Sequence, residues 1–115
     1  MLKFCHRGRV EGAAALDSEA ALRALAHPGR RRVLELVSDR ERGSGELAEA
    51  CGWTRPATSQ HLRVLREAGL IDVRAAGTRR LYRARAEMLA ELRAVLDEFW
   101  TERLRLLATD VGGRP

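Results

Sequence analysis

The chain has few cysteines, a single lysine and no long apolar run. The shortage of cysteine and of apolar runs excludes several classes of protein. With only Cys5 and Cys51 among 115 residues, the sequence implies no disulfide framework. No stretch is apolar over the roughly 20 residues that a membrane-spanning helix needs. The first residues also lack the continuous apolar segment of a signal peptide. We therefore expect one domain that works in the reducing cytoplasm, without a membrane partner.

The sequence also lacks the residue patterns that enzymes use. It contains no nucleophile elbow, no His-Glu-x-x-His and no Gly-rich phosphate loop. Asp97 and Glu98 are adjacent, and neighbours of that kind on a helix do not face each other, so they make a poor acid–base pair. We expect a protein that is not an enzyme and has no catalytic residues.

Positive charge is present in excess, and it is concentrated. Arginine and lysine number 21 against 16 acidic residues, a net charge of +5, and Lys3 is the only lysine. Between Thr54 and Arg85, eight arginines minus two acids give +6, whereas residues 86–115 have four basic and six acidic residues, which gives −2. Arginine suits phosphate and guanine because its planar fork bonds at two points. This clustering is what binding to a polyanion requires.

Residues 54–70 carry the strongest helix signals. Thr54 can cap a helix, Pro56 fits its first turn, and Gly69 can end it in the left-handed conformation. The apolar stripe recurs at helical spacing and comprises Thr58, Leu62 and Leu65. The opposite face presents Arg55, Ser59, Gln60 and Arg63, with His61 beside it. Such a face suits a DNA major groove, although a helix that merely faces solvent could also present it.

Three shorter helices are predicted before this one. They cover residues 19–26 with Asp17 or Ser18 as cap, residues 28 to about 38, and residues 45–51 with Ser44 as cap. His27, before Pro28, is expected to mark a boundary and to donate to the backbone. Residues 39–43 are predicted as a charged loop. The third helix, a short Gly-containing turn and the helix after Thr54 form a helix-turn-helix unit.

A β-hairpin is predicted after Gly69. Its strands are residues 70–74 and 79–83, joined by a tight turn at Ala76-Gly77. An even loop would pair Ile71 with Tyr82 and Val73 with Arg80. That register puts the apolar side chains inward and lets Arg80 reach solvent near the tip. A hairpin placed behind a helix-turn-helix is a wing, and its cationic tip comprises Thr78, Arg79 and Arg80.

Residues 86–108 form the longest predicted helix. Its apolar stripe is too long for a small core to cover, and a chain of this size gains burial by dimerising. We expect a homodimer built on this helix with the first helix alongside. The interface is predicted to comprise Leu22, Leu25, Leu89, Leu92, Leu96, Phe99, Trp100 and Leu104. Residues 1–17 are predicted to be a flexible arm or short helix, residues 18–108 the folded domain, and residues 109–115 a flexible tail.

These motifs together resemble the ArsR-type (ArsR/SmtB) winged helix-turn-helix repressors of bacteria. The resemblance rests on Leu25-Ala26-His27-Pro28-Gly29-Arg30-Arg31-Arg32-Val33-Leu34, Gly45-Glu46-Leu47-Ala48, Pro56-Ala57-Thr58-Ser59-Gln60-His61-Leu62 and Leu65-Arg66-Glu67-Ala68-Gly69-Leu70. It implies a mainly α fold of order α-α-α-α-β-β-α with a small hairpin, dimerised through its terminal helices. It also implies a homodimeric repressor that binds a palindromic operator and releases it on a signal.

The chain departs from the metal-sensing members of that family. They carry a Cys-x-Cys box in the first helix of the helix-turn-helix, where this chain has residues 43–47 without cysteine. A second family site needs histidine on the last helix, which has none here. We therefore expect no metal and no cofactor. Cys5, His6 and Cys51 could still form a soft-ligand site if the arm folds across the domain, and a metal- or redox-responsive repressor remains an alternative.

The main hypothesis is a sequence-specific DNA-binding repressor whose partners are double-stranded DNA, a second copy of the chain and an unidentified small-molecule effector. A gap near the long helix could hold such an effector. The predicted DNA-binding residues are Thr54, Arg55, Pro56, Ser59, Gln60, His61, Arg63, Thr78, Arg79 and Arg80. The alternative from another class is a winged-helix interaction module that has lost DNA binding. The concentrated charge favours the repressor.

Overall fold

The computed structural model describes residues 15–112, and their side chains as far as Thr109. Within that range the elements are α1 (Ser18–Leu25), α2 (Pro28–Asp39), β1 (Arg42–Gly43), α3 (Ser44–Cys51), α4 (Arg55–Glu67), β2 (Ile71–Ala76), β3 (Arg79–Ala84) and α5 (Ala86–Gly112). The fold is the predicted mainly helical winged helix-turn-helix, with the short strand β1 in addition. None of the helices between residues 15 and 112 has the length and apolarity to cross a membrane.

The core lies where α1 to α4 meet the base of the sheet. The predicted stripe of α4 is buried, with Thr58, Leu62 and Leu65 all at most 2% exposed. It packs in a cluster with apolar residues of the other elements, including Ala21, Val33, Val37, Leu47, Leu70 and Ile71. Burial of this stripe fixes which face of α4 points outward.

Side-chain caps hold the starts of two predicted helices. The Asp17 carboxylate accepts from the Ala20 N–H at 3.1 Å, and the Thr54 hydroxyl accepts from the Ala57 N–H at 3.2 Å. Both residues have extended backbone, as a capping position requires. These two predictions are confirmed.

Helix α2 begins at Pro28 as predicted, but the cap of α3 and the role of His27 differ from the prediction. Helix α3 begins at Ser44 itself, and its N-cap is Gly43, which provides no side-chain hydrogen bond. The ring Nδ1 of His27 accepts from the Gly29 N–H at 2.9 Å, whereas the sequence predicted a donor. The reason is that the first turn of a helix exposes N–H groups, so a side chain at the cap has to accept.

The hairpin is antiparallel, and its register differs from the prediction by two residues. Ile71 pairs with Ala84 and Val73 with Tyr82, so the turn is Gly77-Thr78 and not Ala76-Gly77. Gly77 has φ 66° and no other residue type has positive φ among those described, which matches a type II′ turn. Since the register differs by an even number of residues, Ile71 and Val73 still point inward as predicted.

The short strand β1 completes a three-stranded sheet of order β1-β3-β2. Arg42 pairs with Tyr82 and Gly43 with Leu81. The sequence predicted a loop over residues 39–43, because a strand of two residues has no periodicity to detect. The pairing joins the start of α3 directly to the wing.

Helix α5 is longer than predicted and continues through residues 109–112, which the sequence assigned to a flexible tail. Its 27 residues span roughly 40 Å. The first half packs on the core, where Leu92 is buried and Leu89 and Leu96 are half-buried. From residue 97 to residue 109 every side chain is exposed.

Candidate nucleic-acid interface

The outward face of α4 is polar and cationic. Arg55, Ser59 and Arg63 are all exposed and lie one helical turn apart, and Gln60 is exposed beside them. Thr54 and Pro56 are exposed at the start of the helix. The face is held in place by the buried stripe behind it, so these side chains project away from the domain.

The start of α4 is fixed by Thr54 through two different bonds. Its hydroxyl caps the helix, and its backbone carbonyl accepts from the Thr58 hydroxyl at 2.8 Å. At the other end Gly69 takes the left-handed conformation with φ 87°, as the sequence predicted. The helix that carries the outward arginines therefore has defined ends.

The wing tip lies beside the starts of α3 and α4. A groove of about 300 Å³ is lined by Gly43, Ser44, Gly45, Glu46, Arg55, Thr78, Arg79 and Arg80. The guanidinium of Arg79 lies against Gly43, so close that a Cβ built there would be 2.8 Å from its Nη2. The structure thus brings Arg55 of the helix and the three predicted wing residues to one groove.

Residues 43–45 also line this groove, although they are not among the DNA-binding residues predicted from the sequence. They approach the wing because β1 pairs with β3, which no local pattern showed. The two glycines that flank Ser44 were an available signal, since small residues at a helix start allow a ligand to approach the backbone. The N-terminus of α3 has no side-chain cap, so its first N–H groups remain available for an anion.

Two arginines neutralise Glu46, the acidic residue that lines the groove. Its carboxylate accepts from Arg42 at 2.6 Å and from Arg40 at 2.8 Å. The hydrogen bond from Arg42 is the main cause that lowers the pKa of Glu46, with further contributions from the charges of both arginines. The groove therefore remains suitable for an anion in spite of this carboxylate.

At the base of the wing, two arginines serve the fold. Arg74 forms a two-point ion pair with Glu41, at 2.6 Å and 2.9 Å, which raises the pKa of Arg74. Arg85 faces Asp72 at 3.4 Å, and the Asp72 side chain is only 6% exposed. Burial raises the pKa of Asp72, and the charge of Arg85 opposes that rise. The net +6 of residues 54–85 thus overstates the charge that a polyanion would meet.

His61 is half-buried, and its position differs from that of its neighbours on α4. Its ring centroid lies 4.2 Å from that of Trp53 and 4.6 Å from that of His27. Burial is the main cause that lowers the pKa of His61, followed by the charges of His27 and Arg30. The sequence predicts that His61 contacts DNA, and this stays a prediction; in the structure its ring packs against those of Trp53 and His27.

The far half of α5 presents an apolar face. Its exposed large side chains are Val95, Phe99, Trp100, Leu104, Leu106 and Leu107, of which Trp100 is 55% exposed. Leu22 of α1 is also exposed, and α1 contacts α5. Leu92 is a correction, because it is buried within this chain and has almost no surface left for a partner.

Among the side chains that the structure describes, no group of three from His, Cys, Asp or Glu is placed to hold a metal ion. Cys51 is half-buried, and burial raises the pKa of its thiol, which disfavours the reactive thiolate. Cys5 and His6 lie outside the described residues. The soft-ligand site that would combine them with Cys51 therefore stays a hypothesis from the sequence.

Known proteins resemble this chain in sequence and in fold. A helix-turn-helix domain family matches residues 25–74. The HTH-type transcriptional regulator Rv2034 of Mycobacterium tuberculosis is 45% identical over 86 residues, which are 75% of this chain and 80% of that protein.

Two solved structures share the fold. One, a possible transcriptional regulator for arsenical resistance, has a TM-score of 0.66 at 43% identity and covers 79% of this chain and 95% of its own. The other is the homodimeric winged helix-turn-helix DNA-binding domain Mb0332 of Mycobacterium bovis, a possible ArsR-family transcriptional regulator. It has a TM-score of 0.60 at 32% identity and covers 75% and 80% of the two chains.

Proposed function

This chain belongs to the ArsR-type winged helix-turn-helix transcriptional regulators, which bind DNA, and we propose that it is a homodimeric repressor of a palindromic operator. The observation that carries the proposal is the common orientation of two elements. The polar face of α4 and the cationic tip of the wing border one groove, and Arg55 of that face lines the groove together with Thr78, Arg79 and Arg80. In this arrangement the helix can enter a major groove while the wing lies over the adjacent backbone.

The side chains divide into two roles. Arg55, Ser59, Gln60 and Arg63 project from α4 and can bond to base edges, as arginine does to guanine and glutamine to adenine. The wing residues Thr78, Arg79 and Arg80 contact phosphates, which position the protein without reading sequence. Thr54 and Pro56 at the helix start lie near the backbone, and His61 supports the helix from behind.

The start of α3 adds a further phosphate contact. Its first N–H groups have no side-chain cap, and they open onto the groove that Arg55 and the wing tip share. A phosphate at this position would meet both the positive end of the helix dipole and the arginines. Gly45 has no heavy atom within 4 Å of the position of a Cβ, so the backbone there is open to the approach of DNA.

A second copy of the chain covers the apolar face of α5. The exposed aromatic and leucine side chains between Val95 and Leu107 form a contiguous stripe of a kind that single soluble domains seldom expose. Leu22 extends the face onto α1. The resemblance to the homodimeric Mb0332 domain supports this assembly. We call α4 the recognition helix, since it is the helix proposed to read DNA. A dimer would place two recognition helices about 34 Å apart, one for each half-site.

The signal that releases DNA is proposed to be an unidentified small apolar molecule. A mostly apolar groove of about 280 Å³ between α1, α2 and α5 supports that class of effector, with Leu25, Leu34 and Leu89 in its lining. The repressor acts in the cytoplasm, where its operator is. A protein-docking module without DNA binding would not need exposed arginines on both the helix face and the wing tip.

The test combines DNA binding with assembly state. The full chain should shift a duplex from its own promoter region, and added salt should weaken binding because phosphate contacts release counterions. Light scattering without DNA should give the mass of a dimer at micromolar concentration. A chain that stays monomeric under these conditions, or that leaves promoter DNA unshifted at low salt, would contradict the proposal.

A further inference from the structure

Three aromatic rings support the recognition helix from behind. The rings of His27, Trp53 and His61 come from the start of α2, the turn before α4 and the middle of α4. Their centroids are 4.2 Å apart for Trp53 and His61, 4.6 Å for the two histidines and 6.3 Å for His27 and Trp53. The Trp53 ring lies so close to Gly29 that a Cβ there would overlap it. The cluster therefore joins α4 to the first turn of α2.

The cluster is built around neutral imidazoles. The Nδ1 of His27 accepts from the Gly29 N–H, so a proton on that atom would break the cap of α2. The Nδ1 of His61 is buried and has no hydrogen-bond partner, and the same is true of the Nε of Arg30. A charged imidazole here would gain no acceptor for its proton.

The charges that lower the pKa of His61 are positive. Helices α1, α2 and α3 and strand β2 pack against α4. The charges that act on His61 are those of His27, the N-cap of α2, when that ring carries a proton, and of Arg30 in α2. Their repulsion adds to the cost of desolvating a charged ring. A proton on His61 would therefore push α4 away from α2.

We propose that the cluster of His27, Trp53 and His61 is an acid-sensitive latch that holds the recognition helix against α2 and opens when the histidines are protonated. The idea rests on the proposed function, because the consequence of opening is loss of operator binding. His61 follows Gln60 and lies two residues before Arg63, so a shift of the α4 backbone at His61 would move both of these exposed side chains. The latch couples pH to the face that reads DNA.

The direction of the pH dependence follows from the lowered pKa of His61. The folded chain keeps this ring neutral, whereas the unfolded chain takes up the proton near pH 6.5. As the pH falls below about 6.5, the unfolded state binds more protons, and the latch contributes less stability. Above that pH its contribution is complete. A basic protein without such a latch would show the opposite trend in DNA binding, since added positive charge strengthens binding to phosphate.

The experiment uses the full chain and a duplex from its own promoter region, at constant ionic strength. Fluorescence anisotropy should show operator affinity falling as the pH is lowered from about 7.5 to about 5.5, because the lowered pKa of His61 makes a protonated ring unfavourable in the closed latch. His61→Phe keeps a ring but cannot titrate, so its affinity should stay constant or rise on acidification.

A second readout keeps the latch testable apart from DNA binding. Urea unfolding across the same pH range should show the unaltered chain losing stability below about pH 6.5 relative to His61→Phe. If His61→Phe does not fold, His27→Asn retains a capping side chain, and NMR should then show His61 titrating at higher pH than in the unaltered chain. Superimposable pH profiles for His61→Phe and the unaltered chain would overturn the latch. Failure to bind promoter DNA at about pH 7.5 would instead overturn the proposed function.

Discussion

The base and the tip of the wing use the same residue type in opposite ways. At the base, Arg74 and Arg85 face Glu41 and Asp72, and their side chains are 18% and 12% exposed. At the tip, Arg79 is exposed and borders the groove beside α4. A few residues along one hairpin therefore separate arginines that pair with acidic side chains of the fold from Arg79, which is exposed beside the groove.

The difference shows why a charge count alone is a poor guide to a binding surface. A charge contributes to the field outside the protein only when no partner neutralises it nearby. Arg74 and Arg85 form ion pairs with Glu41 and Asp72 within the fold. We propose that these two arginines act on DNA only through the position of the wing, whereas the wing tip contacts DNA directly.

The largest expected effect is on stability, from Arg85→Ala. The substitution removes the guanidinium that faces the buried Asp72 carboxylate and that also donates to the Gly69 carbonyl at 3.3 Å. Breaking a buried pair of this kind costs about 3 kcal/mol. Urea unfolding at neutral pH measures it, and Arg79→Ala at the wing tip is the matched control, expected to change stability by less than about 0.5 kcal/mol.

The same variant has a pH signature. Without Arg85, nothing opposes the burial that raises the pKa of Asp72. A carboxyl group with a raised pKa costs stability as the pH rises through that pKa, and the cost disappears in acid. The difference between Arg85→Ala and the unaltered chain should therefore shrink as the pH is lowered towards about 4. A difference that is independent of pH would assign the loss to packing and not to the buried charge.

A smaller effect is expected from Arg74→Ala. Arg74 and Glu41 are both partly accessible, so the loss should be about 2 kcal/mol. The double variant Arg74→Ala with Glu41→Leu should recover part of it, because no buried carboxylate then remains. Thermal unfolding of the single and double variants measures the recovery. If the single and the double variant lose the same stability, the unpaired Glu41 carboxylate is not the cause of the loss.

The smallest effect is expected at Gly45, on the DNA side of the comparison. Gly45→Ala has open space for its methyl group and should stabilise the free protein by about 0.5 kcal/mol, because alanine restricts the unfolded chain. If a phosphate approaches the start of α3, the same methyl should weaken DNA binding. Higher stability together with lower affinity is the expected pair of results. A variant that binds DNA as well as the unaltered chain would exclude the contact at α3.

Local signals predicted much of the recognition helix. Thr54, Pro56 and Gly69 fix its ends, and the spacing of Thr58, Leu62 and Leu65 fixes its buried side. Each of these acts over a few residues of sequence, so no tertiary information was required. The outward orientation of Arg55 and Arg63 followed from the same spacing.

Other features depend on contacts between distant segments, which a single sequence does not show. β1 exists only because Arg42 and Gly43 pair with β3. The hairpin register followed the position of Gly77 in the turn, and alternation alone could not separate two registers of the same parity. His61 was predicted to contact DNA because it lies beside the outward face of α4, yet its ring packs against two rings from outside α4, those of His27 and Trp53.

The most direct test of the central assignment compares Arg63→Ala with Arg79→Ala on operator and scrambled duplexes across a salt series. If α4 reads base edges as proposed, Arg63→Ala should lose about 1–3 kcal/mol of discrimination at one base pair of each half-site. Arg79→Ala should weaken both duplexes alike and reduce the salt slope by roughly one unit for each phosphate that the variant no longer binds. If Arg63→Ala weakens both duplexes equally while Arg79→Ala abolishes only the preference for operator, the roles of helix and wing are reversed and the account is wrong.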